Sequence, residues 1–81
     1  MAFGRLGTRS GSELGNRLKD VRTARGLTQQ SLADLVGVSR KTINTVERGV
    51  FVPSTTLALK LAEVLETPVE RLFWLAEGDP D

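Results

Sequence analysis

The sequence predicts an all-α protein, a compact bundle of five short helices, on three observations. Leucine, valine and alanine recur at helical spacing, with capping and stop residues between the runs. The 81 residues include neither cysteine nor histidine, so a single small domain must fold without disulfides or the common zinc sites. Within the run Gln29 to Arg48, QQSLADLVGVSRKTINTVER, small, turning and apolar residues fall where two short crossed helices need them.

The opening MAFGRLGTRSGS, residues 1–12, has three glycines, two arginines and no helical period, which reads as a flexible arm. Arg5 and Arg9 there are either a phosphate or minor-groove contact or part of a disordered terminus. Leu14, Leu18 and Val21 then recur at i, i+4 and i+7, predicting an amphipathic first helix that ends near Gly26, with Leu27 as a core anchor. Thr28 caps a second helix over residues 29–36, whose inner side is Leu32, Ala33, Leu35 and Val36. Two helices crossing steeply at close range need a small side chain at the contact, which Ala33 supplies, and Gly37 allows the left-handed backbone that ends the second helix.

Ser39 caps a third helix over residues 40–48. Its Ile43 and Val46 point into the core, while Arg40, Lys41, Asn44, Thr45 and Arg48 point away. Gly49 stops it, and Pro53 keeps Val50-Phe51-Val52 extended. Ser54 caps a fourth helix whose Leu57, Ala58, Leu61, Ala62, Val64 and Leu65 are apolar over so much of its circumference that it is expected at the buried centre. Thr67, Pro68 and Glu70 predict the start of a fifth, with Thr67 as cap, Pro68 at the first position and Glu70 closing a capping box. The domain is expected over residues 13–77, with an acidic frayed tail at 78–81.

Without thiol or imidazole groups the chain lacks the side chains most used in nucleophilic and acid–base catalysis, so no enzyme, cofactor or metal site is expected. No apolar run approaches the ~20 residues of a membrane helix, and a cytoplasmic protein without a membrane partner is expected. The net charge of +1 hides a polarity: residues 1–48 hold nine Lys or Arg against four Asp or Glu, a balance of +5, and residues 49–81 hold two against six, a balance of −4. A basic front and an acidic back orient a molecule toward phosphate. A basic, polar helix face standing beyond the body of a domain is also the geometry that enters a DNA major groove.

From Asn16 to Leu75 the chain closely resembles the Cro/repressor-type helix-turn-helix family of phage repressors and small bacterial transcription regulators. RGLTQ, LA-x-x-x-GVS, TI-x-x-x-ERG, PS and ALKLA carry the resemblance in combination. It implies a phage-repressor-type bundle in which helices 2 and 3 form the DNA-reading unit, and double-stranded DNA as the partner. It places Arg40, Lys41, Asn44 and Thr45 at base edges. An arginine can donate to guanine O6 and N7, an asparagine can pair with adenine, and a threonine can touch a thymine methyl or a phosphate. Gln29 is implied against a phosphate, joined on the same backbone by Thr28, Ser39, Thr42 and Arg48 and by the amides near Gly49 to Val52. Arg22 and Glu47 are implied as a structural ion pair locking the third helix to the bundle, so Glu47 is not a DNA contact.

Val50 and Val52 depart from the polar or basic residues common in the family at that connection, and either extend the core or form an apolar surface. Leu72-Phe73-Trp74-Leu75 offers a second apolar group, from which Phe73, Trp74 and Leu75 are expected at a dimer contact; the competing reading of Trp74 is a boundary tryptophan covering the fifth helix. The expected protein is a sequence-specific regulator binding a short inverted repeat as a homodimer. Repression follows from occluding RNA polymerase and activation from contacting it. The alternatives are a restriction–modification controller, an antitoxin-like autoregulator, or a protein-interaction adaptor on the same fold.

Overall fold

The structure, a computed structural model, describes residues 14–76. The expected N-terminal arm, with Arg5 and Arg9, and the acidic tail lie outside the described residues. In chain order the elements are β1 (Leu14–Asn16), α1 (Leu18–Ala24), α2 (Gln29–Val36), α3 (Arg40–Glu47), α4 (Thr55–Val64), α5 (Val69–Leu72) and β2 (Phe73–Leu75). The class is the all-α helix-turn-helix bundle, with one small addition, an antiparallel pairing of β1 with β2 in the register Leu14↔Leu75, Gly15↔Trp74 and Asn16↔Phe73.

Three hydroxyl caps set the starts of the middle helices. Thr28, Ser39 and Ser54 each accept from the backbone N–H three residues on, at Ser31, Thr42 and Leu57, which satisfies a donor the helix itself cannot use. Ser31 returns the favour at α2, its hydroxyl accepting from Thr28 N at 2.8 Å. Gly37, at φ 80°, turns the chain so that its own N–H and that of Val38 both donate to the Ala33 carbonyl, at 2.8 and 3.0 Å. Ala33 itself is fully buried in the α2 face, and α2 packs chiefly on α3.

Leu18, Leu32, Ile43, Leu61, Leu65 and Leu72 are sealed from solvent and gather residues from every helix. Each such side chain contributes roughly 1.5–3 kcal/mol of burial free energy. Among the described residues no helix is long and apolar enough to cross a membrane.

Several local expectations are corrected. Leu14 belongs to β1 and not to the first helix, which starts at Leu18. Its side chain still packs on the core, but the backbone is drawn into pairing with the far end of the chain. Leu35 lies 58% exposed, outside the buried stripe of α2. The fourth helix is buried along one line only, Leu57–Leu61–Leu65, with Ala58, Ala62 and Val64 half-buried beside it and Leu59 facing solvent. The capping box proposed for the fifth helix is absent: Thr67 Oγ1 donates to the Leu65 carbonyl at 3.0 Å, and Pro68 stands at the cap position without a side-chain bond. The hydroxyl is used to finish α4 rather than to start α5.

Candidate nucleic-acid interface

Helix α3 carries the exposed basic face, and three anchors fix its orientation. Ile43 and Val46, one turn apart, seal its inner side into the core. At its last turn Glu47 receives Arg22 from α1: Arg22 Nε donates to Oε2 at 2.6 Å and Nη2 to Oε1 at 3.3 Å. The two side chains are 9% and 4% exposed, and the third guanidinium nitrogen, Nη1, donates to the Leu27 carbonyl at 2.8 Å, just ahead of the α2 cap. The third anchor is Asn16, whose Nδ2 donates to the Val46 carbonyl at 3.1 Å while its Oδ1 accepts from Leu18 N at 3.0 Å. One side chain therefore starts α1 and closes α3. Among the described residues no buried side-chain N or O lacks a partner.

Withdrawal of Glu47 decides the sign of the outer face. It is the sole acid on α3, and burial against Arg22 removes it from the surface. The exposed charges left on α3 and its C-cap are Arg40, Lys41 and Arg48, all positive. Asn44 and Thr45 lie half-buried on the same helix, with Thr45 Oγ1 bonded back to the Thr42 carbonyl at 3.0 Å. The Thr45 hydroxyl is thus engaged by its own helix.

Gln29, at the first position of α2, lies between the buried pair and the exposed face. Its Nε2 donates to Glu47 Oε1 at 3.0 Å, and its Oε1 accepts from Arg40 Nη1 at 3.2 Å. The amide is engaged at both ends. The sequence carries no mark of this bridge, since it depends on how closely α2 and α3 cross. The hydroxyls of Thr28, Ser39 and Thr42 cluster at the N-terminal ends of α2 and α3, each already bonded within its own cap: Thr28 to Ser31, and Ser39 to Thr42 at 3.0 Å.

The connection after α3 differs from what was expected of it. The amides of Val50 and Phe51 both donate to the Thr45 carbonyl, at 3.0 and 3.2 Å, and Gly49 N donates to the Val46 carbonyl at 3.0 Å. Those three amides finish α3 and are not offered to phosphate. Val50, Phe51 and Val52 take the surface alternative, at 68%, 48% and 61% exposure.

In β2, Phe73 is buried in the chain's own core, whereas Trp74 and Leu75 are exposed. The Trp74 indole lies over Gly15, so close that a Cβ there would be 2.5 Å from Nε1, and the Arg17 guanidinium sits 5.1 Å from the ring centroid.

The chain is similar in sequence and fold to known proteins. The family model described as Helix-turn-helix, HTH_3, matches residues 18–72. YgzD, an uncharacterized HTH-type transcriptional regulator of Bacillus subtilis, is 40% identical over 62 residues, covering 76% of this chain and 94% of that protein. A second uncharacterized HTH-type transcriptional regulator, from Methanocaldococcus jannaschii, is 43% identical over 58 residues, covering 72% of this chain and 88% of that one. Among solved structures, the restriction-modification controller protein C.AhdI from Aeromonas hydrophila superposes with a TM-score of 0.63 at 41% identity, covering 67% of this chain and 82% of that one.

Proposed function

The chain belongs to the Cro/repressor-type helix-turn-helix family of DNA-binding transcription regulators, and on that premise we propose that it is a sequence-specific repressor. It binds a short inverted-repeat operator as a homodimer, each subunit laying α3 in a major groove, with the two grooves about one turn, or ~34 Å, apart. The observation that carries this reading is the removal of Glu47 into the Arg22 pair, which leaves α3 with a purely cationic exposed face on a rigidly held helix.

Arg40, Lys41, Asn44 and Thr45 reach base edges, with Thr45 offering its methyl group. The α2 and α3 ends, through Thr28, Gln29, Ser39 and Thr42, meet phosphate, as does Arg48. Positive helix N-termini and backbone N–H groups favour such anions. Residues 13–77 form the DNA-binding domain. Trp74 and Leu75 are the dimer surface, supported from beneath by Phe73, and occlusion of RNA polymerase is the route to repression. A restriction–modification controller is the second reading, favoured by the likeness to C.AhdI.

The test is fluorescence anisotropy with duplex from upstream of the protein's own coding sequence, against a scrambled duplex, over a salt series and with Arg40→Ala in parallel. Preference for the natural duplex that is lost in Arg40→Ala supports the reading. Equal, steeply salt-dependent binding to both duplexes indicates contact with phosphate only. Absence of binding at moderate salt overturns it in favour of a protein-interaction adaptor, for which the exposed Val50-Phe51-Val52 would be the docking surface.

A further inference from the structure

Asn16 joins the small sheet to the far end of the reading helix. Its backbone lies in β1 opposite Phe73, its Oδ1 accepts from Leu18 N at 3.0 Å, and its Nδ2 donates to the Val46 carbonyl at 3.1 Å. The same carbonyl accepts from Gly49 N at 3.0 Å. A carbonyl oxygen has two lone pairs, and these two donors fill them. The last turn of α3 is therefore closed partly by its own chain and partly by a side chain from β1, at the helix end where carbonyls lack partners of their own.

The segment that bears the proposed dimer surface is also what holds β1. Gly15 and Asn16 pair with Trp74 and Phe73, and Arg17 N donates to the Leu72 carbonyl at 3.1 Å. The Trp74 indole covers Gly15, with the Arg17 guanidinium 5.1 Å from the ring centroid. A two-stranded ladder of this length is marginal when left to itself. Trp74 and Leu75 are exposed, so a partner subunit seated on them excludes water from the ladder and presses the ring onto Gly15.

We infer that Asn16 is a positioning residue that couples subunit association to DNA reading. This rests on the homodimer and on the major-groove role proposed for α3. In one state β1 is paired and the Asn16–Val46 bond is made; in the other β1 is released and the end of α3 keeps only the Gly49 turn. Association at Trp74 and Leu75 favours the first state. That state fixes the last turns of α3, with Asn44, Thr45 and the C-cap Arg48, before DNA arrives. Each subunit of the dimer then binds its own half-site more tightly than a lone subunit does. This gain is separate from that of holding two half-sites at once, which requires no change inside a subunit.

The test uses the full chain and a duplex selected by wild-type protein from a randomised pool, then shortened to one half-site so that two subunits cannot share a duplex. Coupling between binding sites is reciprocal, so half-site DNA must strengthen dimerisation by the factor with which dimerisation strengthens half-site binding. Sedimentation equilibrium with and without saturating half-site duplex is expected to show the wild-type dimer tightening about tenfold. Asn16→Ser keeps an acceptor for Leu18 N but cannot reach Val46, and its dimer constant should not respond to the duplex. In DNA-free protein, exchange of the Gly49 amide should slow as wild type passes from monomer to dimer, and should be independent of concentration in Asn16→Ser.

Should Asn16→Ser fail to fold, Asn16→Asp takes its place, since a carboxylate keeps the acceptor and the size but cannot donate. Wild-type protein that selects no site, or stays monomeric on the selected duplex, overturns the dimeric DNA-reading function and this inference with it. A dimer that selects a site but whose association is indifferent to half-site DNA overturns this inference only. Equal tightening in wild type and Asn16→Ser shows that the coupling does not run through Asn16, and likewise overturns it.

Discussion

Asn16 and Val46 lie thirty residues apart and are joined by a 3.1 Å hydrogen bond from the Asn16 amide to the Val46 carbonyl, which ties the strand before α1 to the last turn of α3. The other end of the same amide accepts from Leu18 N. Asn16→Ala removes both bonds, and a loss of roughly 1–3 kcal/mol is expected, measured by urea unfolding. Asn16→Asp should rescue it only in part, because a carboxylate can accept from Leu18 N but cannot donate to the Val46 carbonyl.

Breaking the Arg22–Glu47 pair from one side leaves a buried charge without its partner. Glu47→Ala is therefore expected to cost about 3–5 kcal/mol, whereas the double change Arg22→Met with Glu47→Leu, which removes both charges and fills the space, should recover most of it. A double-mutant cycle in urea reads this directly. Arg25–Glu66, at 3.6 Å with Glu66 78% exposed, is the contrasting case, and Arg25→Ala should change stability by no more than about 1 kcal/mol through that ion pair.

Glu66 follows the end of α4 with φ 52°, a left-handed conformation that favours glycine. A residue with a Cβ is disfavoured there by roughly 1–2 kcal/mol. Glu66→Gly is expected to raise the melting temperature, since the backbone bond from Arg25 Nη2 to the Glu66 carbonyl survives the change. An unchanged or lowered melting temperature would count against the strain.

Trp74 and Gly15 are cross-strand partners in van der Waals contact, and a methyl group at residue 15 would fall 2.5 Å from the indole nitrogen. Gly15→Ala should displace the ring, shift the fluorescence of the chain's one tryptophan and destabilise the fold. In a Trp74→Ala background the same substitution should cost little, so the two effects will not add. Additive effects would show that the ring does not press on Gly15.

What the sequence conveyed, and what it did not, divides by distance along the chain. Thr28, Ser39, Ser54 and Gly37 act on residues three or four away, and both limits of α2 and the starts of α3 and α4 follow from them. Leu14 shows the converse. Its spacing to Leu18 and Val21 fits a helix, but its backbone pairs with Leu75, and no local period reports a partner at the other end of the chain. Leu35 carries the residue type of a core position on the wrong side of its helix. The polar bridges made by Asn16 and Gln29 are likewise properties of the crossing, where common surface residue types acquire partners from another helix.

The central claim is that α3 reads bases in the major groove from two symmetric subunits, and guanine N7 methylation interference tests it most directly. A duplex selected from a randomised pool is lightly methylated, bound, and separated into free and retained fractions. The account predicts interference at two symmetric clusters of guanines centred about 10 base pairs apart, with Arg40→Ala becoming indifferent to methylation at one guanine in each cluster. Uniform retention of methylated duplex, or the same interference pattern in Arg40→Ala, would contradict it.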